Sequence, residues 1–183
     1  MRSLTASADP RRIWGPNYLA FHGDPDGAEK LMTQLLAGPR AREHVQAGDP
    51  DDAIRSYEAN LAWRRGDKPR GLAVASALWR RGPRWSSPAA LYYLIVFAHD
   101  EGRDADLIAL VDKLARTPSN LWRAAAYPEA THWAALAHER LGEPEKARAR
   151  NEKLLAMWKR ADPDLPLLSE AKALCSKLAC RHP

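Results

Sequence analysis

The sequence predicts an all-α fold: an irregular α-solenoid of antiparallel helical hairpins with a C-terminal capping helix, spanning residues 1–183 as a single domain. Three observations carry that prediction. A six-residue turn signature (glycine, acid, proline, acid, any residue, alanine) is written three times, as Gly23-Asp24-Pro25-Asp26-Gly27-Ala28, Gly48-Asp49-Pro50-Asp51-Asp52-Ala53 and Gly142-Glu143-Pro144-Glu145-Lys146-Ala147. Alanine, leucine and arginine dominate while β-branched residues are scarce, which favours helix. Apolar residues recur at intervals of three and four, the period of one helix face.

Each residue of the signature has a mechanical reading. Glycine takes the left-handed conformation that closes one helix. The acid caps the next helix and suits its positive end. Proline fits the first helical position, where its missing N–H is not needed. The alanine one turn later is small enough to admit a neighbouring helix, so Ala53 and Ala147 are expected at close helix contacts.

The elements follow in order. After the first signature Ala28, Leu31, Met32, Leu35 and Leu36 form an apolar stripe that stops at Gly38-Pro39. After the second, Ala53, Ile54, Tyr57 and Leu61 repeat the pattern until Arg64-Arg65-Gly66. A third segment carries Leu72, Ala75, Leu78 and Trp79 and ends at Arg80-Arg81-Gly82-Pro83. Residues 88–101 are apolar nearly all round, as a central helix would be. A degenerate turn copy starts at Gly102, followed by Leu107, Leu110, Val111 and Leu114, then the loop Thr117-Pro118-Ser119-Asn120. Pro128 is expected to start a helix holding Ala130, Ala134, Ala137 and Leu141. The third clear signature starts the helix of Ala147, Leu154, Leu155 and Trp158. Asp162-Pro163-Asp164 is expected to cap a last helix with Leu167, Leu168, Ala171, Leu174 and Leu178. The turn glycines Gly23, Gly48, Gly102 and Gly142 are 25, 54 and 40 residues apart, so the hairpins vary in length and the wide gap holds an extra helix.

Composition narrows the function classes. At 45% apolar residues the chain is an ordinary folded protein, and its net charge of +5 suits an acidic partner without demanding nucleic acid. Two cysteines, Cys175 and Cys180, exclude a disulfide framework and fit a reducing compartment; they are expected to pack unpaired on the terminal helix. The first ten residues hold no apolar secretory core, and the longest apolar run, residues 89–98, is too short to span a membrane. A cytoplasmic location is the expectation.

The turn residues, with their helical partners, resemble the tetratricopeptide repeat family. Its pattern places alanine five residues after the turn glycine, an aromatic nine after it, and alanine or leucine about twelve after it. Gly48, Ala53 and Tyr57 match the first three places. Gly142, Ala147 and Leu154 match, with Asn151 in place of the aromatic; Gly23, Ala28 and Leu35 match, with Met32 there. Leu91, Leu94 and Ala98 before Gly102, like Ala134 and Ala135 before Gly142, take first-helix core positions. The clearest region is 88–179, residues 1–22 are poorly defined, and the ending looks like the closing repeat and capping helix of bacterial tetratricopeptide proteins. The resemblance implies a stack of hairpins that binds a protein or peptide without chemistry. It also implies a groove on the first helices, lined here by Tyr92, Tyr93, His99, His132, Trp133 and Arg140, a row suited to an extended acidic peptide.

Sites of other kinds find less support. Trp63-Arg64-Arg65, Trp79-Arg80-Arg81, Trp122-Arg123 and Trp158-Lys159-Arg160 set aromatic rings beside cations, the pairing that stacks bases and grips phosphates. That makes a nucleic-acid-associated or regulatory module the rival reading. No nucleic-acid-binding motif accompanies the pairs, and cations before a turn glycine also suit the negative end of a helix. His132 and His138 are six apart and face different sides of a helix; His138-Glu139 lacks the second histidine of a zinc-protease signature. Cys175, Cys180 and His182 share a metal only if the last helix frays. A calcium loop through Asp24, Asp26 and Gly27 puts Thr33 where a bidentate glutamate is required. No phosphate loop, serine elbow or paired catalytic carboxylates stand out, so neither enzyme activity, metal nor cofactor is expected. Leu31, Met32, Leu35 and Leu36 want a cover that residues 13–21 supply poorly. Dimerisation, or docking within a longer parent chain, is therefore expected at the N-terminal end.

Overall fold

Three of the described turns share one device. The structure, a computed structural model, describes residues 20, 23–37, 50–81, 87–117 and 121–180, and among these it contains eight helices and no strand. They are α1 (Pro25–Ala37), α2 (Pro50–Arg64), α3 (Lys68–Arg80), α4 (Ser87–Asp100), α5 (Asp104–Arg116), α6 (Leu121–Arg140), α7 (Pro144–Met157) and α8 (Pro166–Lys177). The turns joining α2 to α3, α4 to α5 and α6 to α7 each hold a left-handed glycine: Gly66, Gly102 and Gly142, at φ of 88°, 65° and 73°. In each, the glycine N–H donates to the carbonyl three residues back and the next N–H to the carbonyl five back, as in Gly142 to Glu139 at 3.0 Å and Glu143 to His138 at 2.9 Å. This paired bond satisfies carbonyls that a helix end would otherwise leave orphaned. Gly23 has the same left-handed backbone, at φ 85°.

Among the described residues the left-handed turn glycines are Gly23, Gly66, Gly102 and Gly142, separated by 43, 36 and 40 residues. Gly66 fills the wide gap in the sequence-derived spacing. It was hidden because its copy reads Gly66-Asp67-Lys68-Pro69-Arg70-Gly71, with proline displaced by one place and glycine where alanine is expected. Gly48 lies outside the described residues, as do the loop at 118–120, residues 82–86 and the poorly defined 1–19; the helix following Gly48 starts at Pro50.

The capping role of the acid holds in part. Asp24 Oδ1 accepts from the Gly27 N–H at 2.8 Å, and Asp67 Oδ1 from the Arg70 N–H at 3.3 Å. Glu143 makes no such cap. Its carboxylate lies 2.6 Å from His138 Nδ1 and accepts from Lys146 at 2.7 Å, and these partners, Lys146 first, hold its pKa below the usual carboxylate value. Two further expectations are corrected. Pro128 lies inside α6, which begins one to two turns earlier at Leu121. Asp162 does not cap the last helix; it accepts from the Asp164 N–H at 3.1 Å in a local turn, and α8 starts at Pro166 behind Leu165.

The chain divides into two compact units, Met1–Leu94 and Ile95–Pro183, whose boundary falls within α4. In the first unit α1 packs on α2 and α2 on α3. Ala20, Ala28, Met32 and Tyr57 form a buried cluster with Leu61 against it. Burial, then the nearby Glu29 charge, pushes the Tyr57 phenol up to about 12. Helices α2 and α3 approach so closely at Gly71 that an added Cβ would stand 2.8 Å from the Ala59 carbonyl oxygen. Only glycine fits without a shift.

In the second unit α5 packs on α6, α6 on α7, and α8 on both α6 and α7. Leu107, Val111 and Leu114 of α5, Ala130, Ala134 and Ala137 of α6, and Leu154 of α7 are all fully buried. Ala135 and Ala147 meet Leu174 and Leu178 in one cluster, so Ala147 sits at the close contact its place in the signature predicts. The side chain of Ala53 lies outside the described residues. Helix α8 buries Leu168, Ala171 and Leu174 and is also held by polar contacts. Asn151 Nδ2 donates to the Ala171 carbonyl at 2.7 Å, Arg148 Nε to the Leu178 carbonyl at 2.8 Å, and Lys177 to Glu139 at 2.6 Å. Asn151, where the repeat pattern has an aromatic, is fully buried and ties the capping helix down.

The two cysteines are not unpaired: Cys175 and Cys180 form a disulfide. A separation of five residues across the last turn of α8 leaves their Cα atoms 5.0 Å apart, within disulfide reach. Two cysteines still make no framework, but the bond weakens the argument for a reducing compartment.

Candidate functional site

Among the predicted groove residues, the second unit brings one pair together. His99 ends α4 and Trp133 lies mid-way along α6; their rings stack with centroids 4.3 Å apart and planes inclined by 23°. Both side chains are half-buried, so each keeps an exposed edge. About two turns further along α6, Arg140 reaches α5 and grips the Asp104 carboxylate through both Nε and an Nη, with Nε–Oδ2 at 3.0 Å. The guanidinium holds the Asp104 carboxyl below its usual pKa. Arg140 is exposed, but a carboxylate of the chain already occupies its fork.

The other predicted residues are placed differently. His132 is 2% exposed and turns its Nε2 toward Glu170 of α8 at 3.4 Å, while its Nδ1 finds no partner among the described residues. Burial pulls its pKa below the ordinary value, against the opposing pull of Glu170. An imidazole beside a carboxylate is the start of a general-base pair, yet a side chain this buried has no path to a substrate. Tyr92 and Tyr93 belong to the first unit, their ring centroids 6.5 Å apart. Tyr93 is fully buried and offers a ligand no surface; Tyr92 is half-buried. The backbone period explains the split, since adjacent residues on a helix are turned apart by about 100°.

Sequence reasoning missed Asp104 and Glu170, the partners of Arg140 and His132. A signal for the first was present. Asp104 stands two residues after a turn glycine and Arg140 two before the next, so an acid at one helix start faces a cation at the following hairpin's helix end. The first unit repeats the arrangement, with Arg65 at the end of α2 bonding Asp26 at 2.8 Å and Glu29 at 2.7 Å near the start of α1. No such periodicity foretells Glu170.

The tryptophan–cation pairs separate by burial. Trp63 is 5% exposed and lies against Gly71, with Lys68 Nζ 5.3 Å from its ring, so it plugs the α2–α3 hairpin and presents no stacking face. Trp79 and Trp158 are half-buried, and the side chain of Trp122 lies outside the described residues. Among the described residues no three His, Cys, Asp or Glu side chains stand close enough to share a metal ion, and no helix is long and apolar enough to cross a membrane.

Comparison with known proteins places this arrangement. No protein-family profile matches the chain, and no curated protein does. Among solved structures it is similar to the TPR-like repeats of a Podosopora anserina protein assigned as a kinesin light chain. The TM-score is 0.58 at 17% identity, over 92% of this chain and 86% of that one. A point variant of that structure aligns with a TM-score of 0.56 and 17% identity over 93% and 94% of the two chains. The chain has a TPR-like helical-repeat fold. The likeness, at so low an identity, rests on helix order and packing. Within the TPR-like frame α2, α4 and α6 are the first helices of their hairpins and α3, α5 and α7 the second. His99 and Trp133 therefore sit on successive first helices, while the Arg140–Asp104 bond joins a first helix to the preceding second helix. Both solved matches are fungal, so the bacterial likeness of the chain's ending gains nothing from them.

Proposed function

We propose that this protein is a non-catalytic scaffold that binds a protein or peptide in extended form, with His99, Trp133 and Arg140 at the recognition surface of its second unit. The stacked His99–Trp133 pair carries the reading: a half-exposed aromatic platform bridging two successive first helices is suited to hold a peptide side chain without a deep pocket. Tyr92, on the same helix as His99, is a further candidate for the first unit's surface; Tyr93 and His132 are buried and are not proposed to touch the peptide. The partner is proposed to be acidic, since the chain carries a net charge of +5 and a competing carboxylate could displace Asp104 from Arg140. A cytoplasmic setting and self-association at the N-terminal end remain part of the proposal, with the Cys175–Cys180 bond weighing against the first.

Selection from a library of extended peptides tests the reading. Acidic peptides should enrich, and Trp133→Ala should weaken their binding about tenfold or more, the scale expected of a truncated hot-spot aromatic. Enriched peptides that bind the variant as well as the parent would remove Trp133 from the site, and a library that yields no binders would end the scaffold reading. The nucleic-acid alternative rests on the half-exposed Trp79 and Trp158. It would prevail if duplex or single-stranded oligonucleotides were retained at physiological salt, where nonspecific phosphate contacts fade.

A further inference from the structure

Cys175 and Cys180 occupy particular places in the C-terminal turn. Ala179 is left-handed at φ 51°, its N–H points to the Ser176 carbonyl at 3.4 Å, and the Cys180 N–H bonds the Cys175 carbonyl at 3.0 Å. This is the same paired bond that ends α2, α4 and α6, but with alanine where those turns have glycine. In that motif the residues five apart commonly touch through side chains. At the α6–α7 turn the pair is His138 and Glu143; at the end of α8 it is the disulfide. The bond thus ties together the one described turn whose left-handed residue carries a Cβ, a conformation that an L-residue other than glycine adopts only at a cost. The turn also matters beyond itself. Its Leu178 carbonyl accepts from Arg148 of α7, and the Leu178 and Cys180 side chains pack with Ala135 and Ala147 of the α6–α7 hairpin.

We infer that the Cys175–Cys180 disulfide is a redox-labile staple that fixes the end of the capping helix onto the α6–α7 hairpin, and that a dithiol reductant releases it. Cys180 is half-buried and Cys175 only 5% exposed, so the incoming thiolate attacks Cys180 Sγ. The Cys175–Cys180 bond breaks as the new sulfur–sulfur bond forms, and its electron pair goes to Cys175 Sγ. That sulfur takes a proton, because burial and the negative end of α8 both disfavour a thiolate there. The reductant's second thiol then displaces Cys180, giving two protein thiols and an oxidised reductant. Without the bond, Ala179 relaxes from its left-handed backbone and Leu178 loosens from Arg148.

The full chain prepared without reductant is the sample to use. Alkylation after denaturation should modify no cysteine before dithiothreitol treatment and both after it; two modified cysteines beforehand would overturn the inference. In native-state hydrogen exchange, reduction should speed the amides of residues 178–180 at least about tenfold and leave Gly102 and Arg103 unchanged. Equal rates at 178–180 would overturn it. The double variant Cys175→Ser, Cys180→Ser should exchange like the reduced parent and ignore dithiothreitol. Ala179→Gly should restore slow exchange to the reduced protein. If it does not, strain at Ala179 is not what the bond contains, and the inference falls.

Discussion

The α2–α3 hairpin of the first unit and the α6–α7 hairpin of the second are built on the same turn, yet they solve its closest contact differently. Five residues after the turn glycine the first has Gly71 and the second Ala147, while the α4–α5 turn has Leu107 at the same place. At Gly71 the backbone of α2 comes so near that no side chain fits. At Ala147 a single methyl packs in a buried cluster with Ala135, Leu174 and Leu178. At Leu107 there is room for a large, fully buried side chain. The signature therefore fixes where a hairpin turns, whereas the size of this residue follows how closely the neighbouring backbone and side chains approach. Matching the residue to its local gap is what the repeat tolerates.

Exchanging those sizes is the way to break the comparison. Leu107→Ala should have the largest effect, a loss of ~2–5 kcal/mol from a buried cavity, read as a lower midpoint in urea unfolding. Ala147→Leu should cost ~1–3 kcal/mol by overpacking the cluster it shares with Ala135, Leu174 and Leu178. Gly71→Ala must move the Ala59 carbonyl at a similar cost. Alanine regains roughly 1 kcal/mol of helix propensity, so the net loss should stay below about 2 kcal/mol. A Gly71→Ala protein more stable than the parent would show that α2 and α3 separate freely and that the close approach imposes nothing.

Two smaller effects sharpen the contrast in polar contacts. His132 has a folded-state pKa below the ordinary 6.5 because burial opposes its charge. The unfolded chain then binds the proton more readily, so stability should fall as pH drops through about 6.5 toward the lower folded value. His132→Leu should flatten that slope in melting curves; an unchanged slope would place its origin elsewhere than this imidazole, on which the charges of Glu170, His99 and Glu129 also act. The Asp104–Arg140 pair is the smallest term. The Arg140 side chain is 44% exposed, so Arg140→Gln should cost about 0–1 kcal/mol. Because Asp104 is held below its ordinary 3.8, that contribution is present above this value and lost as pH falls through the folded one. A variant and parent that still differ in stability at lower pH would assign Arg140 a packing role instead.

Much of the fold was legible because its instructions are local. Proline at positions 25, 50 and 144 starts α1, α2 and α7, and the stripe through Ala134 and Ala135 is buried as its period requires. Gly66 escaped notice because one displaced proline and one missing methyl spoiled the match, although the turn it makes is the same as the others. Pro128 reads as a helix start because proline lacks an N–H. Inside α6 that lack removes one bond to an earlier carbonyl, and the rest of the helix continues through it. The candidate site was legible only as a set of positions on first helices. Which of Tyr92 and Tyr93, or of His132 and Trp133, faces outward depends on a rotation that no single helix specifies.

The sequence by itself determined the helical class, the turn chemistry and the small residues at the turns, since these rest on backbone conformations set within a few residues. Tertiary structure alone decided the pairing of Arg140 with Asp104, of His132 with Glu170 and of Asn151 with the Ala171 carbonyl. Each joins residues 20 to 38 positions apart, on helices whose relative rotation and spacing are fixed by packed side chains. Even Cys175 and Cys180, only five apart, needed the left-handed turn at Ala179 before their proximity could be read as a bond.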